Sequence, residues 1–558
     1  MAYIAQCRGK WGIWILKDKV TSFFASNCNF YIILFLAMLI RSFPFGFAYF
    51  AFADDHNAYG IYSLVHENRW QNVVMEYNLF FTFRPLAGLL DAALSRFWGN
   101  MEFVLLAITG LQFATIYLFD KLFRASGLLW TRLMAVFFVF FPASSESAYW
   151  LLASTRIVTS GFLSVLSAFF MRKFLYQEGR YKLWLAISLL SGILAQGFYE
   201  QGIIFAFVVT FGLLLLHRNV IRRKILYLWP FVNLAIIGTH YYMFRDAGTL
   251  TTRAGFVDEG LFSRVPVIVG RISHTFLWEQ GRTVSRTLDW GISYLFSEHL
   301  FLTVIVALFA LLLAIFIVYD NTQIANFGKS AAVSAIAGVV LTIAPLTIFF
   351  FLAESWIWVR NLYYTVLGVA ILVGIGARLL TRPIGTRGGV YLRAVKIVFA
   401  FSVTALFFTG FILEVDSLRK VERYDTVIVE SMIEELDRLG VSENEKVWLF
   451  GTRWNYTRKI NPRITSQARV DWALNGHFGA ASGTLGHQRP RVIPIMCNGG
   501  TREVSMWNIT LNLEYDTLLG LDEQLNVREL RFDEQYLIFA DTSVVFGILD
   551  ENGIFSKK

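Results

Sequence analysis

The chain has 558 residues, 56% of them apolar, and a mean hydropathy of +0.51. A soluble globular domain carries about 45–50% apolar residues, so this composition excludes a soluble enzyme and predicts an all-α polytopic membrane protein. The formal charge of +9, from 50 Lys and Arg against 41 Asp and Glu, does not indicate a nucleic-acid partner, because the basic residues fall mostly in short loops between apolar runs.

Residues 1–28 carry Arg8, Lys10, Lys17 and Lys19 among Trp11, Trp14, Phe23 and Phe24, with no signal-peptide core. This predicts an interfacial lead-in on the cytoplasmic face. A first span is expected over about residues 30–52, with its second half kinked by Arg41 and Pro44. Further apolar runs lie near 101–120, 131–150, 155–171, 183–199, 201–216, 225–244, 299–319, 331–352, 361–379 and 391–413, which makes about eleven transmembrane helices in all. Crossing the membrane at each run puts Lys121, Arg124 and Arg132 on the same side as the basic amino terminus. The same holds for Arg172–Lys182, Arg218–Lys224, Lys329 and Arg378–Arg393, so that side is the cytoplasm.

The opposite side then receives an amphipathic first loop from Asp54 to Arg84, a turn from Ser144 to Arg156, a long segment from Arg245 to His299, and everything after Glu414. The long segment predicts one or two helices lying at the interface with their charges turned to water. From Val415 the composition becomes that of a soluble domain. A helix is expected over 421–439, strands over 446–451 and 535–546, and a turn at Asp550–Gly553. Three regions follow: the lead-in 1–28, a transmembrane domain 29–414, and a small extracytoplasmic α/β domain 415–558. Cys7, Cys28 and Cys497 are too scattered for a disulfide framework or a metal site. Asn455-Tyr456-Thr457 and Asn508-Ile509-Thr510 are sequons, which matter only in a glycosylating secretory pathway.

The residues that could carry chemistry gather at the ends of spans on the non-cytoplasmic side. Asp54 and Asp55 stand where the first span leaves the membrane, a costly place for a charge. An ionised carboxylate there could accept the proton of an attacking hydroxyl, or the pair could bind a divalent cation with His56; the bland alternative is a helix cap. Arg84, held before Pro85, could meet a carboxylate or phosphate in a two-point contact, or pair within its own loop. Glu146 and Arg156 flank the turn Phe141–Trp150, and Glu200 sits in the very short junction Phe198–Gly202. Arg360 follows the turn Glu354–Val359, placed to neutralise a lipid phosphate or to anchor at headgroups.

The first loop that opens with acids, the Arg84-Pro85-Leu86 at its end, the pattern Pro142, Glu146, Trp150, Arg156, and Glu200-Gln201-Gly202 together resemble the GT-C superfamily of integral-membrane glycosyltransferases. The likeness is strongest to protein O-mannosyltransferase-like members and bacterial polyprenyl-phosphate-sugar enzymes. It covers about the first 210 residues by motif and the spans to 413 by topology alone. The resemblance implies a bacterial plasma-membrane enzyme with a polyprenyl-phosphate sugar as donor and a first-loop Asp as base, a role that falls on Asp54 or Asp55. The acceptor would be a lipid-linked glycan, an envelope polysaccharide or a protein hydroxyl. Arg360 or Arg282 would stabilise the departing phosphate, and no cofactor is required because phosphate is already a good leaving group. Two features depart from the pattern: Phe141 precedes Pro142 where His is common, and the tail shows no recognisable module.

The rival classes are a transporter or flippase for a lipid-linked molecule, a polymerase or ligase joining glycan blocks, and a non-catalytic scaffold. Alternating access would place ionisable residues near the middle of several spans. Here the acids cluster at span ends.

Overall fold

A computed structural model describes residues 22–52, 55–56, 58–59, 84–177, 179–221, 224–232, 234–235, 261–320, 327–350, 357–381, 389–453, 464, 466–469, 471–482, 490–496, 511, 515–549 and 555–557. The lead-in to residue 21, Asp54, the interior of the first loop, half of the 225–244 run, residues 245–260, Glu354–Trp356, both sequons and the Asp550–Gly553 turn lie outside these residues. The described chain is mostly helical and forms two compact units. The first is Met1–Phe47 with Leu79–Gly88 and Glu102–Leu413, and the second is Glu414–Lys558 with Ala48–Asn78 and Leu89–Met101.

Among the described residues of the first unit, five helices are long and apolar enough to cross a membrane: Met101–Ala125, Leu151–Leu175, Leu300–Val318, Gly328–Phe350 and Val359–Leu380. A sixth, Tyr391–Leu439, begins in this unit and ends in the second. Asn27–Ser42, Tyr181–Gln196 and Glu200–Leu216 are apolar but shorter. The first span does not run on as a kinked helix to residue 52. It ends at Ser42, because the residue before a proline is pushed out of the helical region, and Phe43 has ψ 51°. The 131–150 run is likewise broken. Helix Arg132–Phe140 stops before Pro142, a tight turn covers Pro142–Ser144, and a short helix covers Ser145–Tyr149.

Apolar helices gain nothing from the hydrophobic effect against lipid, so small and polar residues draw them together. The Ser167 hydroxyl donates to the Ser188 carbonyl (2.7 Å), Ser188 returns the bond to the Ser167 carbonyl (2.8 Å), and Ser160 donates to the Ala195 carbonyl (2.8 Å). Where Phe327–Ile343 meets Tyr363–Thr381, a side chain at Gly368 would stand 2.4 Å from the backbone nitrogen of Thr342.

The segment Leu261–Glu298 is helical throughout, with π turns at His274–Trp278 and Thr287–Gly291. Each π turn inserts a residue. The insertions keep Thr275, Gln280, Thr283, Thr287 and Gly291 on the buried side, while Leu277, Trp278, Leu288, Ile292 and Phe296 are exposed. The helix therefore buries small polar side chains and exposes apolar ones alongside its charges.

Arg132 shows what a charge needs inside such a bundle. Its guanidinium donates to the carbonyls of Phe24 (2.6 Å), Ala25 (2.5 Å) and Phe316 (2.9 Å) and to Oδ1 of Asn27 (3.0 Å), and its backbone N–H donates to Asp320 (3.0 Å). One residue thus ties the start of the first helix to the end of Leu300–Val318.

The second unit is built on a sheet of seven strands: β1 (Lys446–Thr452), β2 (Arg491–Met496), β3 (Thr517–Leu521), β4 (Val527–Asp533), β5 (Tyr536–Phe539), β6 (Val545–Leu549) and β7 (Phe555–Lys557), in the order β2-β1-β3-β4-β5-β6-β7. β1 is parallel to both neighbours and the remaining pairs are antiparallel. Side chains alternate across a strand, so β1 supplies two cores. Val447 and Leu449 pack with Ile428, Val429, Met432 and Leu436 of the long helix, and Trp448 and Phe450 pack with Leu537, Phe546 and Phe555. The single strand expected over 535–546 is instead the hairpin of β5 and β6, and the expected 421–439 helix is the end of Gly389–Leu439.

Replacing Arg132 by Leu removes the donor from four acceptors at once, the buried Phe316 carbonyl and three half-buried groups, each worth about 1 kcal/mol. Thermal unfolding in detergent is expected to show a destabilisation of at least about 3 kcal/mol, against near-neutrality for the exposed Lys182→Leu.

Candidate functional site

In the second unit the candidate chemistry centres on Asp55. Its carboxylate is buried and accepts from the Tyr49 hydroxyl and, through Oδ2, from the Phe52 N–H at 3.1 Å. Both of these donors precede it in the chain. Across this group lies a residue that the sequence gave no reason to single out. Glu422, in the charged part of Gly389–Leu439 after the apolar stretch has ended at Leu413, accepts from the Ala51 N–H at 3.1 Å. Burial, and then the carboxylates of Asp55 and Asp425, push the Glu422 carboxyl up to about 7, while the Ala51 bond pulls the other way. Asp425 is itself buried and accepts from the Ser466 hydroxyl. Three carboxylates therefore share one neighbourhood. The helix expected over 421–439 gave no sign in its sequence that two of its acids would turn inward.

His56 is also buried, stacked at 4.0 Å on His477 and edge-on to Trp98 at 5.2 Å, and Trp98 in turn stacks on Tyr59 at 4.5 Å. Burial pushes His477 down to about 4 and His56 well below the usual imidazole value, with the neighbouring His477 adding to the effect. Neither ring nitrogen of His56 has a hydrogen-bond partner. Among the described residues no group of three His, Cys, Asp or Glu side chains is placed to hold a metal ion, and Asp54, one of the three expected cation ligands, lies outside them.

In the first unit, the remaining candidates gather around Tyr199, with Arg282 apart from them. Leu86 and Ala87 donate their N–H groups to the Gly197 carbonyl (3.0 and 3.2 Å), which docks the start of helix Pro85–Leu94 on the short junction before Glu200. A side chain at Gly197 would stand 2.5 Å from Leu86 Cγ, so only glycine permits this approach. The docking lets Arg84 Nε donate to Glu200 Oε1 at 2.7 Å, with the guanidinium 4.6 Å over the Tyr199 ring. Arg84 thus pairs with an acid 116 positions away. Asn361 donates to the Tyr199 hydroxyl (2.5 Å), and Gln201 donates to the Asn361 carbonyl (2.9 Å). These two polar residues were not expected in a site; the Glu-Gln-Gly junction was the only hint.

The Arg360 N–H donates to Glu146 Oε2 at 3.3 Å and its guanidinium lies 4.5 Å over the Trp150 ring. Arg156 is buried in Leu151–Leu175, and Arg84, Glu200, Arg360 and Arg156 all lie within electrostatic reach of the Tyr199 hydroxyl. Three guanidiniums and the Glu200 carboxylate in one neighbourhood form a positively biased site suited to an anion. Arg282 is exposed, its guanidinium 5.0 Å over its own helix's Trp278.

Site and fold together define a helical membrane protein with an arginine-rich cluster in one unit and a buried carboxylate group in the other. Compared with protein-family models and with curated proteins, the sequence matches none.

Two expectations follow. Gly197→Ala forces Leu86 away and should lower the melting temperature, by about 1–3 kcal/mol of stability. Gly212→Ala on the adjoining helix, with open space at its Cβ, should be neutral or slightly stabilising. For Glu422, both folded and unfolded forms are protonated below the usual 4.5, so its contribution is complete there. Above 4.5 the unfolded chain ionises first, and stability is lost until the pH passes about 7. His477 acts in the opposite sense, its contribution being present above 6.5 and lost as the pH falls toward 4. The two effects oppose each other below pH 6.5, so the comparison with a variant isolates Glu422: Glu422→Gln should gain stability relative to the parent as the pH rises from 4.5 to 7 and melt higher than the parent at about pH 8.

Proposed function

We propose that this protein is a glycosyltransferase of the GT-C type, transferring a sugar from a polyprenyl phosphate to a hydroxyl acceptor with inversion. The reading rests on one observation above the rest: Asp55, one of the two residues between which the sequence left the role of base open, is a buried carboxylate oriented by two donors and lying beside a second carboxylate, Glu422, whose own proton is held to about 7. A carboxylate fixed in this way can take a proton without first reorganising. In the reaction the acceptor hydroxyl gives its proton to Asp55 while its oxygen bonds to the anomeric carbon. The bond from that carbon to the phosphate oxygen breaks, and its electron pair leaves with the carrier phosphate. In the first unit, the cluster of Arg84, Arg156 and Arg360, with Glu200 and Glu146 holding the first and last of these in place, has the charge that recognition of a phosphate needs. The aromatic run His477, His56, Trp98 and Tyr59 gives a hydrophobic surface of the kind against which a sugar ring packs.

The proposal carries the topology read from the sequence: about eleven spans, the amino terminus in the cytoplasm, and the domain after Glu414 on the far side of a bacterial plasma membrane. No cofactor is required by this chemistry. The acceptor is a lipid-linked glycan, an envelope polysaccharide or a protein hydroxyl.

The test incubates the purified protein in lipid nanodiscs with a panel of polyprenyl-phosphate sugars and measures free carrier phosphate. Release with at least one donor is expected, and Asp55→Asn should reduce it about 10²–10⁴-fold while the protein still folds. No release from any donor by a folded sample sinks the reading, and movement of intact donor across a bilayer would replace it with a flippase.

A further inference from the structure

Arg41 lies in the last turn of helix Asn27–Ser42 and is fully buried. Nη1 donates to the Val139 carbonyl at 2.7 Å, Nη2 donates to Gln112 Oε1 at 2.6 Å, and the guanidinium rests 4.5 Å over the Phe411 ring. All three partners are neutral. Arg84 has Glu200 and the Arg132 backbone has Asp320, but among the described residues no carboxylate pairs with Arg41.

The surroundings hold more donors than acceptors. Among the described residues, Nε of Arg41, Nε2 of Gln112 and the hydroxyl of Tyr363 are all buried and have no hydrogen-bond partner. Turning the Gln112 amide would not help, because its oxygen is held by the guanidinium and a flip would set N–H₂ against N–H. Tyr363 belongs to the same neighbourhood. Its ring meets Phe138 at 5.1 Å, the residue before Val139, and its hydroxyl is within electrostatic reach of Arg41.

A buried cation that lacks a counter-charge is strongly unfavourable, and so is each orphaned donor. A ligand that only accepts would supply the missing counter-charge and an acceptor for the orphaned donors it reaches. We infer that Arg41, Gln112 and Tyr363 form a binding site for a small monovalent anion, chloride being the physiological case. The three orphaned donor atoms have no solvent contact and the flanking rings of Phe138 and Phe411 are apolar. Such surroundings disfavour a multiply charged group of the size of a lipid phosphate. This site is separate from the Arg84, Arg156 and Arg360 cluster and does not depend on the proposed reaction.

The experiment measures thermal unfolding of the purified full chain while chloride replaces gluconate at constant ionic strength, with sulfate as the control for general salt effects. A saturable rise of about 2–4 °C specific to chloride is expected. Tyr363→Phe should raise the chloride concentration at half-effect about tenfold, and Arg41→Gln should abolish the response. If Arg41→Gln does not fold, Tyr363→Phe decides the matter together with an anomalous bromide peak beside Arg41 in crystals grown in bromide. Identical melting in chloride and gluconate, or no bromide peak at that guanidinium, overturns the proposal.

Discussion

An ionised side chain inside an apolar helical bundle must be surrounded by partners, because the medium supplies none. This requirement organises the first unit. Arg132 is met by three carbonyls and an asparagine oxygen, and so joins distant ends of the chain. Arg84 is met by Glu200, and for that pair to form, Gly197 must let Leu86 approach its backbone. Arg360 is met by Glu146 through its backbone and by the face of Trp150. Arg41 is the case in which hydrogen bonding is partly supplied and charge is not.

The same requirement, with its sign reversed, shapes the second unit. Asp55 is held by a hydroxyl and a backbone N–H, whereas Glu422 has one backbone donor and two acidic neighbours. Glu422 therefore holds its proton up to about 7, and a carboxyl that exchanges its proton near neutral pH beside the oriented Asp55 gives the glycosyl-transfer reading its chemical content. The buried imidazoles nearby stay neutral, so they add polarity and stacking without adding charge.

Much of the architecture was legible in local pattern. Apolar runs such as 299–319 and 361–379 became the helices Leu300–Val318 and Tyr363–Thr381 with little change of boundary. Two errors of span length came from proline. Pro44 ended a helix that was expected to kink, and Pro142 broke a run that was expected to cross whole. Hydropathy averages over such residues, and backbone geometry does not. The candidate site was legible as a set of residue types at span ends. Arg84 was correctly expected to meet an anion, but its partner was assigned to its own loop as readily as to any other.

Composition and periodicity alone determined that the chain is helical and membrane-embedded, that a small α/β domain follows, and that Asp55, Arg84, Glu146, Glu200 and Arg360 are placed where charges are costly. These are consequences of local sequence, since hydropathy and helix breaking act over a few turns. Only the tertiary structure decided which charges meet: Arg84 with Glu200 across 116 positions, Arg360 with Glu146 across 214, and Glu422 with Ala51 across 371. Partners at such separations are selected by packing and desolvation in the folded chain, and neither leaves a periodic trace in the sequence.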